Sequence, residues 1–211
     1  MFSQILLAIA TLSIFSSHTV LGSTSHVLGE RQFSLTDRYA VQSVSDVFKD
    51  NILLTLFYMR GKINKGDSVH WTEVRKPFSY SVTIDSGKTF AFHDSILPEY
   101  KDKIEATTNA HFNSYEGFES DGWLIGDGVC HLASLINWAA RDAKLDVVAP
   151  TNHNFANIPE VPKEYGTAIF ASPDGAGALQ NLYVTNNHAK PIEINFIYDG
   201  KELSVSITEN E

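Results

Sequence analysis

The sequence predicts an α+β domain: a central, mostly antiparallel sheet carrying two or three helices. Three observations support this. Between Ala40 and Lys62, Val44, Val47, Phe48, Ile52, Leu56 and Met59 recur at spacings of three and four, the period of one helix face. Between Gly126 and Ala143, Leu132, Ala133, Ile136, Ala139, Ala140 and Ala143 fall on one side of a second helix. From Thr167 onward, short apolar runs are separated by turn residues, as strands are. Helices followed by a run of strands point to α+β packing and not to alternating βαβ units.

The elements follow in order. The chain opens MFSQILLAIATLSIFSSHTVLGS, with an apolar stretch from Ile5 to Phe15 and small residues around Gly22. Residues 1–22 therefore read as a signal peptide or, left uncleaved, as an N-terminal anchor, although they carry no Lys or Arg. Residues 23–39 are polar and read as a flexible segment, and residues 40–211 as a single domain. Gly61 stops the first helix. FSYSVTID alternates as a strand does, Ser86-Gly87 turns, and KTFAFHD stays extended. The charged stretch from Pro98 to Phe112 is expected to be helical. LDVVAP reads as a strand, and TNHNFANIPEVPKEYG, with its prolines and asparagines, as an ordered loop. TAIFAS, ALQNLYVTNN, PIEINFIYDG and ELSVSITE are the closing strands, with Asp199-Gly200 as a two-residue hairpin turn.

Composition excludes several classes. The formal net charge is −9 and no Lys/Arg cluster occurs, so neither nucleic acid nor an anionic lipid surface is expected as a partner. Contact with a membrane would come only through an uncleaved N-terminal segment. Cys130 is the single cysteine of the 211 residues, which rules out an internal disulfide.

Cys130 is also the residue where chemistry is most readily sought. It lies off the apolar stripe of its helix, about 120° away at 100° per residue, in a row with Ser134, Asn137 and Arg141. Gly126, Asp127 and Gly128 form a tight turn before it, with Asp127 as the expected N-cap. In the first helical turn the dipole favours a thiolate, and free N–H groups of the turn suit an oxyanion. The bland reading is a small apolar residue after a glycine turn. A thiol nucleophile needs a base, and His153 is the best placed of eight histidines, with Asn152, Asn154 and Asn157 around it to hold the ring. His131 adjoins Cys130 and His93 ends a strand; both are weaker choices. No C-x-x-C, H-x-x-x-H or H-E-x-x-H spacing occurs, so neither a metal nor another cofactor is expected.

GDGVCHLASLINWAARDAKLDVV resembles the signature of the VanW-like family, in which a glycine-rich turn, Val-Cys and a helix of small residues recur. DNILLTLFYM, GKTFAFHDSI, the stretch from NHNF to EVP, and LYVTNNHAKPIEINFIYDGKELSVSI are similar to its other segments, so the resemblance covers roughly Val47 to Thr208. The family takes its name from glycopeptide-resistance gene clusters. The resemblance implies an exported bacterial surface domain and raises Cys130 and His153, which both match the pattern. His131 stands where the family usually has Gln, a family Asp is replaced near Gly166, and SPDGAGA is inserted.

Two functions follow as expectations. One is an exported Cys–His acyl hydrolase or transferase, acting on an amide of peptidoglycan or of a surface protein. The other is a non-catalytic envelope module, with Trp71, Tyr115, Phe118 and Trp123 as contact residues.

Overall fold

In the computed structural model, residues 25–122, 125–172 and 176–210 are described. The expected leader, Trp123 and the middle of the SPDGAGA insertion lie outside them. The element order is β1 (Ser25–Ser34), α1 (Gln42–Met59), α2 (Trp71–Val74), β2 (Phe78–Ile84), β3 (Thr89–Ala91), β4 (Ile104–Ala106), α3 (Val129–Asp142), β5 (Asp146–Val148), β6 (Tyr183–Thr185), β7 (Ile192–Tyr198) and β8 (Glu202–Asn210). The protein is α+β, with its strands parted into two four-stranded sheets.

Period-two alternation builds the larger sheet, whose order is β1-β8-β7-β2, antiparallel throughout. Ile192, Ile194, Phe196 and Tyr198 of β7 and Leu203, Val205 and Ile207 of β8 turn inward and are buried. The register puts Ser79, Ser81 and Thr83 of β2 beside Ile197, Asn195 and Glu193 on the outer face. The smaller sheet, β4-β3-β6-β5, is made of three-residue strands, with β3 and β4 parallel. Both long helices face the common core. Ile52, Leu53, Leu54 and Leu56 of α1 are buried, as are Leu132, Ala133, Ile136, Ala139 and Ala140 of α3.

Four expectations are corrected. The segment 23–39, read as flexible, supplies β1 from Ser25 to Ser34, paired along β8. Its polar side chains sit on an outer face or are partnered: Arg31 lies 4.4 Å over the Trp138 ring and pairs with Asp142. Phe33 and Leu35 anchor it in the core. The helix expected over Pro98–Phe112 is a single 3₁₀ turn, Pro98–Tyr100, followed by β4. Pairing with β3 overrides the local propensity there. TAIFAS is not a strand; Ala168 N–H donates to Thr151 O and Phe170 N–H to Gln180 O across a loop. The β7–β8 turn is centred one residue later than expected. Gly200 and Lys201 lie between Asp199 and Glu202, with Gly200 at φ 108° while Asp199 keeps a negative φ. Asp199 Oδ1 accepts from the N–H groups of Lys201 and Glu202, each at 2.8 Å.

Candidate functional site

The glycine turn forms and α3 starts at Val129, so Cys130 is the second residue of the helix. The N-cap is Gly128, at φ 97°, with no side-chain cap. Asp127, the expected cap, points elsewhere: its Oδ2 accepts from Asp121 N–H at 3.0 Å. Burial, with Asp121 close by, pushes its carboxyl up to about 6. The turn is pinned by Asn51 of α1, which donates to Glu119 O at 3.0 Å and Asp127 O at 2.9 Å and accepts from Glu119 N–H at 2.9 Å. Of the turn N–H groups expected to hold an oxyanion, that of Gly126 is engaged, as are three in the first turn of α3. Gly126 N–H goes to Glu119 O, Val129 N–H to Gly126 O, and His131 and Leu132 N–H to Gly128 O.

The polar row of α3 has a structural explanation. Cys130, Ser134 and Asn137 form a line of hydrogen-bonding groups facing the irregular segment from Tyr165 to Ile169, and Arg141 continues the row. Asn137 Nδ2 donates to Tyr165 O at 2.9 Å and Thr167 Oγ1 at 3.0 Å. Ser134 Oγ accepts from Thr167 N–H at 2.9 Å. Cys130 Sγ accepts from Ile169 N–H at 3.3 Å and its S–H reaches Ile169 O at 3.8 Å. Arg141 Nε braces Asn137 Oδ1 at 2.8 Å. Part of this segment's backbone pairs with residues 151–153, and this helix face supplies side-chain partners for Tyr165 O, Thr167 N–H and Ile169. Burial pushes the Cys130 thiol up to about 11, outweighing the Ile169 N–H that favours thiolate. The thiolate expected from the helix dipole is therefore not the resting state.

His153 is nearly buried, and its Nδ1 faces Ala156 O at 3.2 Å. A carbonyl only accepts, so the proton is on Nδ1 and Nε2 keeps its lone pair. Burial lowers its pKa, which keeps the ring neutral. Among the described residues no hydrogen bond joins His153 to Cys130, Asn152 or Asn154. Asn152 Nδ2 donates to Lys163 O at 3.2 Å, and Asn154 is exposed. The asparagines therefore do not set the His153 tautomer; the Ala156 carbonyl does. His93 is buried in a structural network, with Nε2 at 3.0 Å from Gln180 O and Nδ1 accepting from Ser95 N–H at 3.2 Å.

One cavity of about 860 Å³ unites the remaining residues. Gly126, Asp127, Gly128, Cys130, His131 and His153 all line it. Its wall includes Phe48, Phe112 and Ile169, and its rim carries Tyr115, Ile125, Phe155 and Phe170, each at least half exposed. Phe118, expected at a contact surface, is in the core, and Trp71 is partly buried against it. Residues that the sequence did not single out complete the site. Tyr39 lines the cavity with its ring 4.7 Å from that of Phe48. Arg38, buried behind it, stacks at 4.2 Å on Phe33 and donates to Ser34 O, Pro159 O and Glu160. His111, also on the lining, sits between Glu116 Oε1 at 2.7 Å and Asp94 Oδ2 at 3.0 Å. Among the described residues no group of three or more His, Cys, Asp or Glu is arranged to hold a metal ion. No described helix is long and apolar enough to cross a membrane.

A family profile described as VanW like protein matches residues 80–208, from β2 into β8. No curated protein and no solved structure matches the chain.

Proposed function

We propose that this chain, which belongs to the VanW-like family, is a non-catalytic binding module of the bacterial cell envelope whose ligand occupies the cavity beside α3. The observation that carries this reading is the pairing of a cavity of about 860 Å³, rimmed by exposed Tyr115, Phe155 and Phe170, with a protonated Cys130 engaged by the Ile169 backbone. A concave apolar site with a few polar groups is the usual form of a small-molecule site. The envelope location rests on the apolar leader and the family's context. The test uses 1-anilinonaphthalene-8-sulfonate as a probe of the folded chain. Saturable binding that weakens in Phe155→Ala/Phe170→Ala, with thermal unfolding unchanged, supports the reading. Absence of saturable binding overturns it.

A second reading is favoured by one observation: Cys130 and His153 line the same cavity, and His153 Nε2 keeps a lone pair there. In it the chain is an exported acyl hydrolase or transferase acting on an amide of peptidoglycan or of a surface protein. His153 takes the Cys130 proton once a ligand displaces the Ile169 segment from the sulfur; the sulfur attacks the acyl carbon, the C–N bond breaks as His153 returns that proton to the leaving amine, and water or an acceptor nucleophile then takes the acyl group from the thioester. Rapid alkylation of native Cys130 near neutral pH, slowed by His153→Ala, would select this reading over the first.

A further inference from the structure

We infer that the cavity is built for an apolar, ring-bearing molecule that carries a carboxylate, and that the Tyr39 hydroxyl is the group that binds the carboxylate. The inference rests on the binding reading above and names the class of ligand. It starts from a chain of donors at one end of the cavity. Arg38 Nη2 lies 3.4 Å from His131 Nδ1. A guanidinium can only donate, so Nδ1 accepts and the His131 proton is on Nε2. That Nε2–H faces Tyr39 Oη at 3.4 Å, which makes the phenol oxygen the acceptor. The phenol hydrogen is left over, and it meets no acceptor among the described residues. The relay therefore runs from a buried guanidinium, through a neutral imidazole, to an O–H on the cavity wall. Each donor polarises the next, and a positive charge at the root makes the terminal hydroxyl a better donor to an anion than to a neutral group.

Other groups agree with this direction. Burial raises the Tyr39 pKa, so the phenol keeps its proton at neutral pH. Burial first, and then the Arg38 charge, hold His131 well below its ordinary value, so it stays neutral and keeps its tautomer. Lys65 also lines the cavity, as does His111, which is flanked by Glu116 and Asp94. The opposing charges are Asp127 on the same cavity, whose Oδ2 already accepts from Asp121 N–H, and the Asp121 carboxylate beside it. The aromatic rim explains the rest of the ligand: rings of Phe155, Phe170 and Tyr115 favour a flat apolar body by stacking and burial. The volume of about 860 Å³ suits a molecule of one or more rings and is at the large end for such sites.

Two probes of nearly the same shape test the inference: 2-naphthylacetate and 2-naphthylacetamide, titrated calorimetrically into the full chain. The acid is expected to bind roughly tenfold or more tightly than the amide, the difference between a charged and a neutral acceptor. Tyr39→Phe keeps the ring and removes only the O–H. It should remove most of that preference, while Phe155→Ala should weaken both probes alike. Equal binding of acid and amide to the native chain, which needs no variant, overturns the carboxylate inference and leaves the binding reading standing. A preference for the acid that survives intact in Tyr39→Phe overturns the role of Tyr39. Failure of both probes to bind at millimolar concentration overturns the inference alone if 1-anilinonaphthalene-8-sulfonate still binds saturably, and together with the binding reading if it does not.

Discussion

Gly128→Ala should be among the most damaging single-atom changes in the molecule. Two independent effects add. The residue sits at φ 97°, ψ −22°, in the left-handed region. A side chain there costs about 1–2 kcal/mol. The added Cβ would also lie 2.5 Å from Phe48 O and 3.1 Å from Phe48 C and Cα. These are backbone atoms of α1, so no side chain can swing aside, and α1 must move away from the start of α3. Overpacking of this kind costs a further 1–3 kcal/mol or so. The expected loss is roughly 2–5 kcal/mol, a large share of the stability of an ordinary domain. At about 2–4 °C per kcal/mol for a chain this size, the melting temperature should fall by roughly 4–20 °C. Gly66→Ala is the control: Gly66 has φ +91° and nothing within 4 Å of the added carbon, so it carries only the conformational cost. Differential scanning calorimetry of both variants separates the two effects. If Gly128→Ala melts within experimental error of Gly66→Ala, the close approach of α1 to the turn is not as described. The same change should also widen the gap between Phe48 and His131, whose rings lie 4.8 Å apart, and so loosen probe binding in the cavity.

Three further outcomes are expected. Native Cys130 should alkylate with iodoacetamide near neutral pH about a hundredfold more slowly than after denaturation, because a thiol pushed from 9.0 to about 11 holds that much less thiolate; equal rates would show an accessible thiolate. Asn137→Leu should destabilise by about 1–3 kcal/mol in urea unfolding, since Tyr165 O and Thr167 Oγ1 lose a buried donor, whereas a neutral result would detach the 165–169 segment from α3. For His111, burial lowers the pKa, but hydrogen bonds to Glu116 and Asp94 more than offset it and the net shift is upward from 6.5. The imidazolium therefore stabilises the fold fully below about pH 6.5, and the contribution is lost as pH rises through the higher folded value. The stability gap between the native chain and His111→Asn should be widest below about pH 6.5 and narrow as the pH rises above it; a gap that widens with pH would reverse the sign.

Much of the fold was legible because its signals are local and periodic. The apolar face of α1, the small-residue stripe of α3 and the alternation of β2, β7 and β8 each bury one side, and each repeats often enough to be counted. What escaped depends on distant partners. β1 carries Glu30, Arg31 and Gln32 in a row and reads as loose, yet as an edge strand it needs only the main-chain ladder of β8 and the anchor at Phe33. β4 is three residues long and exists only because β3 lies beside it. The site shows the same division. Cys130, His131 and His153 were visible as residue types near a glycine turn, and they do line one cavity. Arg38 and Tyr39 were not, because they come from the segment before α1 and reach His131 only through the tertiary fold.

The position of Cys130 shows how one sequence signal supports two opposite readings. A cysteine off the apolar stripe, in a row with Ser134, Asn137 and Arg141, suggests a polar environment and hence reactivity. The row is polar, but Ser134 and Asn137 are 0% and 1% exposed, so the polarity faces protein and not solvent or substrate. What it faces is the segment from Tyr165 to Ile169, which has no strand partner for these groups. Its carbonyls and N–H groups would otherwise be buried without partners, at about 1–3 kcal/mol each. The helix supplies Asn137 for Tyr165 O, Ser134 for Thr167 N–H and Cys130 for Ile169, and the weakest of them, a thiol, falls at the end of the row. Sulfur is a poor hydrogen-bonding atom, so Ser in its place would serve Ile169 at least as well. Cys130→Ser should accordingly leave the melting temperature unchanged or slightly raised and leave probe binding intact. A large loss of stability in that variant, with Cys130→Ala unaffected, would mean that the site demands an apolar surface and that the row ends at Ser134.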